Sequence, residues 1–306
     1  MRTTLERELK LAAGADFELP ALGGDPLPDR VFTSTYYDTP VRSLARSGIT
    51  LRRRVEKRRS AWQLKLPRPH AARAEIEALG GPEGPPEELA ALLVAHLRHG
   101  ALEPVAVLRT RRHGVRITDG TRALADLTLD EVDVLEDGRR VDRFAEVEIE
   151  LVDGCPADLR RLGRELRAAG ASRSDGTPKV FRVIGVQRPS APGADASSRD
   201  RLVHGLRRQL VQLETYDPGV RLGDEPDDLR RFRLAAQRSR ALLDDGPAPL
   251  EQELGWLTGL LGPVGAARAE LLDALGSERY LRLLDAFEAA LVSPAARARG
   301  RGRGGA

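Results

Sequence analysis

Apolar and polar positions alternate at period two through much of the first 188 residues, as in half-buried β-strands. Turn-forming residues separate the alternating segments, so the pattern predicts an antiparallel sheet. Helices are expected at 85–100 and 156–170, because each segment begins with proline and acidic residues and ends at a glycine. The predicted strands are 3–13, 31–38, 48–57, 61–67, 71–78, 104–117, 121–136 and 143–153.

The pattern changes to helical spacing beyond a linker at 189–198 that is rich in Pro, Ala, Gly and Ser. The residues after 292 are of low complexity, and a disordered Arg/Gly tail is predicted at 293–306. Two domains are therefore predicted, at 1–188 and 199–292. The helices expected in the second domain are 199–216, 226–243, 248–262, 266–275 and 277–292.

Composition narrows the class of protein. A chain of 306 residues with 41% hydrophobic and 31% charged residues can bury a core. Its single cysteine, Cys155, excludes an intramolecular disulfide framework. No apolar run approaches the roughly 18 residues of a membrane span, and the charged start does not resemble a signal peptide. We expect a cytoplasmic protein with no membrane partner and no specific nucleic-acid partner.

Charged residues recur at period two on several predicted strands, so each set lies on one face of its strand. Pattern alone favours a salt-bridged face in water. However, adjacent glutamates repel one another unless a cation binds there, and clusters of Arg and Lys favour phosphate. The sets are Glu6, Glu8 and Lys10; Arg52 and Arg54; Arg73 and Glu75; Arg109 and Arg111; and Glu146, Glu148 and Glu150.

Several of these sets belong to longer motifs that follow one another along residues 1–188. The motifs are ERELK at 6–10, TYYDT at 35–39, GITLRRR at 48–54, WQLKLP at 62–67, RAE at 73–75, Arg109 with Arg111, EVEIE at 146–150, and Lys179. As an ordered set they resemble CYTH domains, the triphosphate tunnel metalloenzymes. Three of the four lysines in the chain fall on these motifs.

The resemblance implies an α+β fold in which an eight-stranded antiparallel β-barrel with flanking helices forms a tunnel, followed by an all-α region. The tunnel would bind a triphosphate together with Mg²⁺ or Mn²⁺. The implied catalytic residues are Glu6, Glu8, Lys10, Glu148 and Glu150. The implied metal ligands are Glu6, Glu8, Glu146, Glu148 and Glu150. The implied substrate-binding residues are Lys10, Arg52, Arg54, Lys65, Arg73, Arg109, Arg111 and Lys179. Asp126 and Asp130 are either part of this site or solvated carboxylates.

The helical region resembles part of a CHAD domain, a helical module that often follows CYTH. The segment at 226–243 is similar to a basic CHAD helix and keeps Arg233, Arg238 and Arg240, with Arg230 in place of a histidine. CHAD domains bind polyphosphate through such helices, so polyphosphate is a candidate partner. Acidic residues outnumber basic ones over 189–296, which opposes polyanion binding.

The sequence thus predicts metal-dependent hydrolysis of inorganic tripolyphosphate to pyrophosphate and phosphate. A nucleoside or thiamine triphosphatase, or a class IV-type adenylate cyclase, on the same barrel is an alternative. A non-catalytic polyphosphate-binding protein is another, although a pure binder of polyanions does not need the acidic strands.

Overall fold

A computed structural model describes residues 1–14, 16–20, 22–68, 72–174, 176–185, 198–243, 248–262 and 267–292. Its contacts divide the chain into two compact units. One comprises residues 1–90 and 99–187, and the other comprises residues 91–98 and 188–306. The predicted tail at 293–306 and all of the predicted linker except Ser198 lie outside the described residues.

The first unit is a closed antiparallel barrel of eight strands, as predicted. Around the barrel the strands follow the order β5, β4, β3, β2, β6, β7, β8 and β1, and pairing of β1 with β5 closes the ring. A two-residue strand, β9 (Ser172–Arg173), pairs with the outer part of β1. The barrel strands are β1 (Arg2–Ala13), β2 (Asp25–Asp38), β3 (Thr50–Glu56), β4 (Arg59–Pro67), β5 (Ala72–Leu79), β6 (Glu103–Asp119), β7 (Arg122–Glu136) and β8 (Arg139–Leu151).

Much of the apolar core of this unit lies outside the barrel wall. Helix α4 (Pro156–Ala168) buries Leu162 and Leu166 against apolar residues of β1, β7 and β8, including Leu11 and Ile149. Successive side chains of a strand alternate between its faces. Covering the apolar faces with a helix therefore leaves the charged faces of the same strands directed into the barrel.

Two short helices of the barrel unit were not predicted, because four to six residues are too few to show helical periodicity. Helix α1 (Ser43–Arg46) begins next to Asp38, whose buried carboxylate accepts backbone N–H bonds from Leu44 and Ala45, both at 2.9 Å. Helix α5 (Lys179–Ile184) packs Val180 and Phe181 against Tyr36, Leu108 and Val132. Asp38, at the end of β2, therefore caps α1. The apolar side chains of α5 pack against β2, β6 and β7.

The second unit is helical. Its core joins residues of every long helix, among them Phe232, Leu254 and Phe287, which are fully buried. Pro218 lies inside the first of these helices, which extends six residues beyond the predicted end at 216. The helices are α6 (Ser198–Leu222), α7 (Pro226–Ala241), α8 (Ala248–Leu260), α9 (Arg268–Leu275) and α10 (Glu278–Val292).

A segment from the connection between β5 and β6 also belongs to the helical unit. The connection contains α2 (Glu87–Ala90), a 3₁₀ turn (Ala91–Leu93) and α3 (Val94–Leu97), where sequence predicted one helix over 85–100. Residues 91–98 group with the helical unit, where Arg98 pairs with Glu214 at 2.7 Å. The helical unit is therefore built from two separate parts of the chain. Within the described residues, no helix is both long and apolar enough to cross a membrane.

Candidate functional site

The barrel encloses a cavity of about 590 Å³, and most of the residues singled out in the sequence line it. The predicted residues that line the cavity are Glu6, Glu8, Lys10, Arg52, Arg54, Lys65, Arg73, Glu148, Glu150 and Lys179. They come from β1, β3, β4, β5, β8 and α5, so the closure of the barrel brings them together.

Glu146 is placed differently from the other acidic candidates. Its side chain is fully buried, and it is not among the residues that line the cavity. Its carboxylate lies 2.9 Å from the Lys179 ammonium and 3.6 Å from that of Lys10. Burial raises the pKa of Glu146. Glu146 is therefore placed to hold the ammonium groups of the two lysines in position without lining the cavity itself.

On β6, the arginine that lines the cavity is Arg112, one residue after the predicted Arg111. Arg109 and Arg111 are exposed and are not brought to the cavity, whereas Arg112 lines it. Arg111 faces Glu131 outside the barrel, with the two charged groups 3.6 Å apart. Adjacent residues of a strand point to opposite faces, so the position of Arg112 places Arg111 outside.

Arg112 and Lys179 belong to a dense ion cluster at the carboxylate-rich wall formed by β1, β7 and β8. Arg112 donates to both oxygens of buried Asp130 at 2.6 Å and to Glu148 at 2.6 Å. Lys179 contacts Asp130 as well, and lies 3.0 Å from Glu148. Lys10 also donates to Glu148. Asp130 is fully buried and is not among the residues that line the cavity, but it belongs to the ion cluster behind this wall.

The electrostatics of this cluster keep its groups ionised. Burial alone would raise the pKa of Glu148, but the charges of Lys10, Lys179 and Arg112 hold it well below its usual range. Burial opposes the charged form of Lys10 and Lys179 too, yet the nearby carboxylates raise the pKa of both lysines. Opposite charges at this distance compensate for lost hydration. The three basic groups of the cluster thus balance the nearby carboxylates of Asp130, Glu146 and Glu148.

A second group on β1, β4 and β5 joins two carboxyl groups to one lysine. The Lys65 ammonium donates to Glu6 at 2.6 Å and lies 3.5 Å from Glu75. Burial and a hydrogen bond to Glu75 raise the pKa of Glu6 to about 8. Although burial opposes it, the bond from Glu6 and the charge of Lys65 lower the pKa of Glu75 to about 2. At neutral pH and in the absence of a cation, the two carboxyl groups therefore share one proton.

Glu8 and Glu150 are the carboxylates best placed to hold a metal ion. They stand directly opposite each other on β1 and β8, and both line the cavity. Facing residues on paired strands have Cβ atoms about 4.5–5.5 Å apart, so two like charges there repel. Burial raises the pKa of Glu150, and the charges of Glu148 and Glu8 add to the effect.

The donor set fits a small divalent cation that retains other ligands. Among the residues that the structure describes, no three acidic or histidine side chains are arranged to enclose a metal ion. Mg²⁺ commonly binds through one or two carboxylates and completes its shell with water and substrate phosphates. The pair formed by Glu8 and Glu150 matches that requirement, with Glu6 and Glu148 nearby on the same strands.

The opposite wall, on β2 and β3, is rich in guanidinium groups. Arg52 donates to neutral partners, Gln63 at 2.8 Å and the Tyr36 hydroxyl at 3.1 Å. Arg54 stacks on Phe32, with its guanidinium carbon 3.7 Å from the ring centre. Burial and the neighbouring arginines lower the pKa of Arg54 to about 10. Two half-buried cations with few carboxylate partners favour the binding of an anion.

The basic residues predicted on the helical unit are spread along α7. Arg230 pairs with Asp227 at 2.6 Å, and Arg238 is exposed. Arg233 is half-buried, and Arg240 donates weakly to Thr258 at 3.4 Å. The structure does not gather these four side chains around one cavity.

Known proteins include two relatives that match most of this chain. Two uncharacterized proteins of Mycobacterium tuberculosis, MT2285 and Rv2226, are each 32% identical over 291 residues, which covers 87% of this chain. The chain spans only 56% of the length of these relatives.

Solved structures give lower similarity. The PH1819 protein of Pyrococcus horikoshii OT3 is 20% identical, with a TM-score of 0.39 over 59% of this chain and 98% of its own. HpAC1 from Hippeastrum, described as having a dominant triphosphatase activity, is also 20% identical, with a TM-score of 0.40 over 60% of this chain and 98% of its own. The CYTH domain profile matches residues 4–181, which include every described lining residue of the cavity except Arg2, and the chain therefore belongs to the CYTH domain family.

Proposed function

We propose that the barrel hydrolyses inorganic tripolyphosphate to pyrophosphate and phosphate with the help of a divalent cation. The observation that carries the proposal is the division of the cavity into two walls. Arg52 and Arg54 offer guanidinium donors on one side, and Glu8 and Glu150 offer a carboxylate pair on the other. A triphosphate between the walls would meet donors for its oxygens and a cation site beside them.

Each wall has its own part in the reaction. Arg52, Arg54 and Lys65 would bind and orient the phosphate chain, and Lys10 would reach the oxygens nearest the carboxylate-rich wall. A bound Mg²⁺ or Mn²⁺ would neutralise phosphate oxygens and lower the pKa of a water molecule. Hydrolysis breaks one P–O–P link and adds the elements of water, so no further reactant is required.

The choice of an inorganic substrate rests on the lining of the cavity. Among the described lining residues, Tyr36 is the only aromatic side chain, and Arg52 already lies over its ring at 5.9 Å. A nucleobase commonly stacks on an aromatic face, which this cavity does not leave open. A nucleoside or thiamine triphosphatase and an adenylate cyclase are the competing activities on the same barrel.

One assay separates these activities. Phosphate release is measured from tripolyphosphate, ATP and thiamine triphosphate, each with Mg²⁺ and with Mn²⁺, and the ATP reactions are also examined for cyclic AMP. We expect tripolyphosphate to have the highest kcat/KM. Faster turnover of ATP or thiamine triphosphate, or formation of cyclic AMP, would contradict the proposal. Tight binding of tripolyphosphate without any turnover would favour a binding protein.

Polyphosphate binding by the helical unit remains a separate proposal, because it depends on the CHAD resemblance. Arg238 is its best candidate, since it is exposed on α7, whereas Arg230 is already paired with Asp227. We expect long-chain polyphosphate to bind this unit weakly and to lose affinity in Arg238→Gln. Tight binding that is unchanged by Arg238→Gln would contradict this role for α7.

A further inference from the structure

The charged face of β3 continues past the proposed phosphate-binding arginines to the end of the strand. Thr50, Arg52 and Arg54 line the cavity, and Glu56 follows at the next position of the same period before the turn to β4. Two residues along a strand correspond to about 7 Å. The exposed fraction of the side chain increases in the same direction, from 12% for Arg54 to 21% for Glu56. It reaches 46% for Arg30, on the neighbouring strand β2. These three residues form a mouth cluster, Arg30–Glu56–Arg54.

Glu56 holds both arginines of the mouth cluster. Arg30 donates two hydrogen bonds to its carboxylate, at 2.8 Å from Nε and 2.5 Å from Nη2. Arg54 donates to the same carboxylate at 3.3 Å. A forked pair between a guanidinium and a carboxylate has the geometry that a phosphate would otherwise adopt. The Glu56 carboxylate thus takes the place that a phosphate would occupy beside these arginines.

Arg30 and Arg54 share this one carboxylate, so their two positive charges are not fully neutralised by it. Arg30 also stands directly opposite Arg112 on the paired strands β2 and β6, although Arg112 has its own carboxylate partners, Asp130 and Glu148. Arg54 has a buried Nε that lacks a hydrogen-bond partner among the described residues. A buried donor without a partner is costly, so an additional anion at this position would be favourable.

We propose, resting on the function proposed above, that Glu56 determines substrate length: it occupies Arg30, which lies beyond Arg54, and so discriminates against polyphosphates longer than three phosphates. A further phosphate that extends past Arg54 would need Arg30 and must first displace the Glu56 carboxylate from it. The ligand class is the short linear polyphosphates, and Glu56 acts by positioning Arg30 rather than by contact with the reacting atoms.

The test compares the binding of tripolyphosphate and tetrapolyphosphate to the full chain by calorimetry, with a chelator present so that nothing is hydrolysed. In Glu56→Gln we expect the affinity for tetrapolyphosphate to rise about tenfold more than that for tripolyphosphate, as freeing charged donors of this strength implies. Glu131→Gln is the matched control, because Glu131 also accepts from an arginine, Arg143 at 2.6 Å, but lies outside the barrel. The control is expected to keep the wild-type ratio.

Arg30 supplies a second measurement. In the double variant Arg30→Gln/Glu56→Gln the gain should disappear, and Arg30→Gln alone should lower the ratio of tetrapolyphosphate to tripolyphosphate affinity. Should Glu56→Gln fail to fold, by its thermal midpoint and circular dichroism, Arg30→Gln decides the question. An unchanged ratio, an equal gain for both anions, or a gain that persists without Arg30 would overturn the proposal.

Phosphate release from both anions with Mn²⁺ reports on the proposed function independently. A shifted binding ratio without any hydrolysis would overturn the hydrolase and leave the length filter standing. Hydrolysis of tripolyphosphate with an unshifted ratio would do the reverse.

Discussion

Individual residues in the cavity differ chiefly in how far their charges are already neutralised. Glu148 is surrounded by Lys10, Lys179 and Arg112. Glu8 lies 3.3 Å from Lys10 and faces another carboxylate, Glu150. Groups that are already paired stabilise the site, whereas groups with unmet charge can take a ligand. This difference separates supporting residues from the candidates for metal and phosphate binding.

Glu150→Gln tests the metal site. The substitution keeps the size of the side chain and removes one of the two facing charges, so we expect turnover of tripolyphosphate to fall by about 10²-fold or more. Binding of tripolyphosphate without metal should instead become tighter, because a repulsive charge near the anion has gone. Activity assays and calorimetry on the same sample give both numbers. Normal turnover at saturating metal would remove Glu150 from the site.

Arg52→Gln tests the guanidinium-rich wall. Arg52 is half-buried with neutral hydrogen-bond partners, so we expect its loss to weaken tripolyphosphate binding by about 10²-fold. Arg109→Gln is the matched control, since Arg109 lies outside the cavity, and its affinity should remain within about twofold of wild type. Equal losses in the two variants would show that overall charge, rather than the cavity wall, governs binding.

The placement of Arg112 shows why residue roles on β6 could not be read from the sequence. Residues 109–113 are polar on both faces of the strand, so alternation does not identify the inner one. Acidic partners do not help either, because Arg111 stands opposite Glu131 just as Arg112 stands opposite Asp130. Only the closure of the barrel decides which arginine is enclosed.

At the scale of elements, the short segment at 91–98 has an unexpected place. Ala95 belongs to the core of the helical unit, and Arg98 pairs with Glu214 and, at 3.3 Å, with Glu288. His96 is buried next to α6, and burial lowers its pKa to about 4. A neutral buried histidine links the stability of this unit to pH.

The direction in which the stability of this unit changes with pH can be tested. Between pH 6.5 and 4 the unfolded chain binds a proton at His96 that the folded chain does not, so the free energy of unfolding falls as pH falls through this window. At pH 4.5 we expect His96 to cost about 2–3 kcal/mol relative to pH 7. Urea unfolding followed by circular dichroism should show this loss in the wild type and a smaller one in His96→Gln. An identical loss in both chains would contradict the assignment.

At the scale of the whole molecule, the helical unit draws on two separate parts of the chain. A chain of residues 1–188 therefore keeps every residue proposed for the barrel cavity but loses the partners of the segment at 91–98. We expect it to hydrolyse tripolyphosphate within about threefold of the full chain, because the cavity belongs to the barrel unit. Loss of activity beyond about tenfold would show that the helical unit contributes to catalysis.

Limited trypsin digestion tests the structural part of this expectation. Arg98 has a side chain that is only 16% exposed in the full chain, where Glu214 and Glu288 hold it. We expect cleavage after Arg98 to be much faster in residues 1–188 than in the full chain. The exposed turn at Arg58 is the internal control and should be cut equally in both. Equal protection of Arg98 in the two chains would contradict the placement of this segment.

The amino-acid sequence by itself determined the eight barrel strands, the five long helices and most of the charged residues that line the cavity. It could do so because alternation at period two and helical periodicity are local properties that each segment carries alone. Tertiary structure decided the rest: which arginine of β6 is enclosed, that Asp130 is part of the ion cluster, that Glu56 holds Arg30, and that residues 91–98 join the helical unit. These features depend on contacts between segments far apart in the chain, and no local pattern records which partner a charge or a short helix will find.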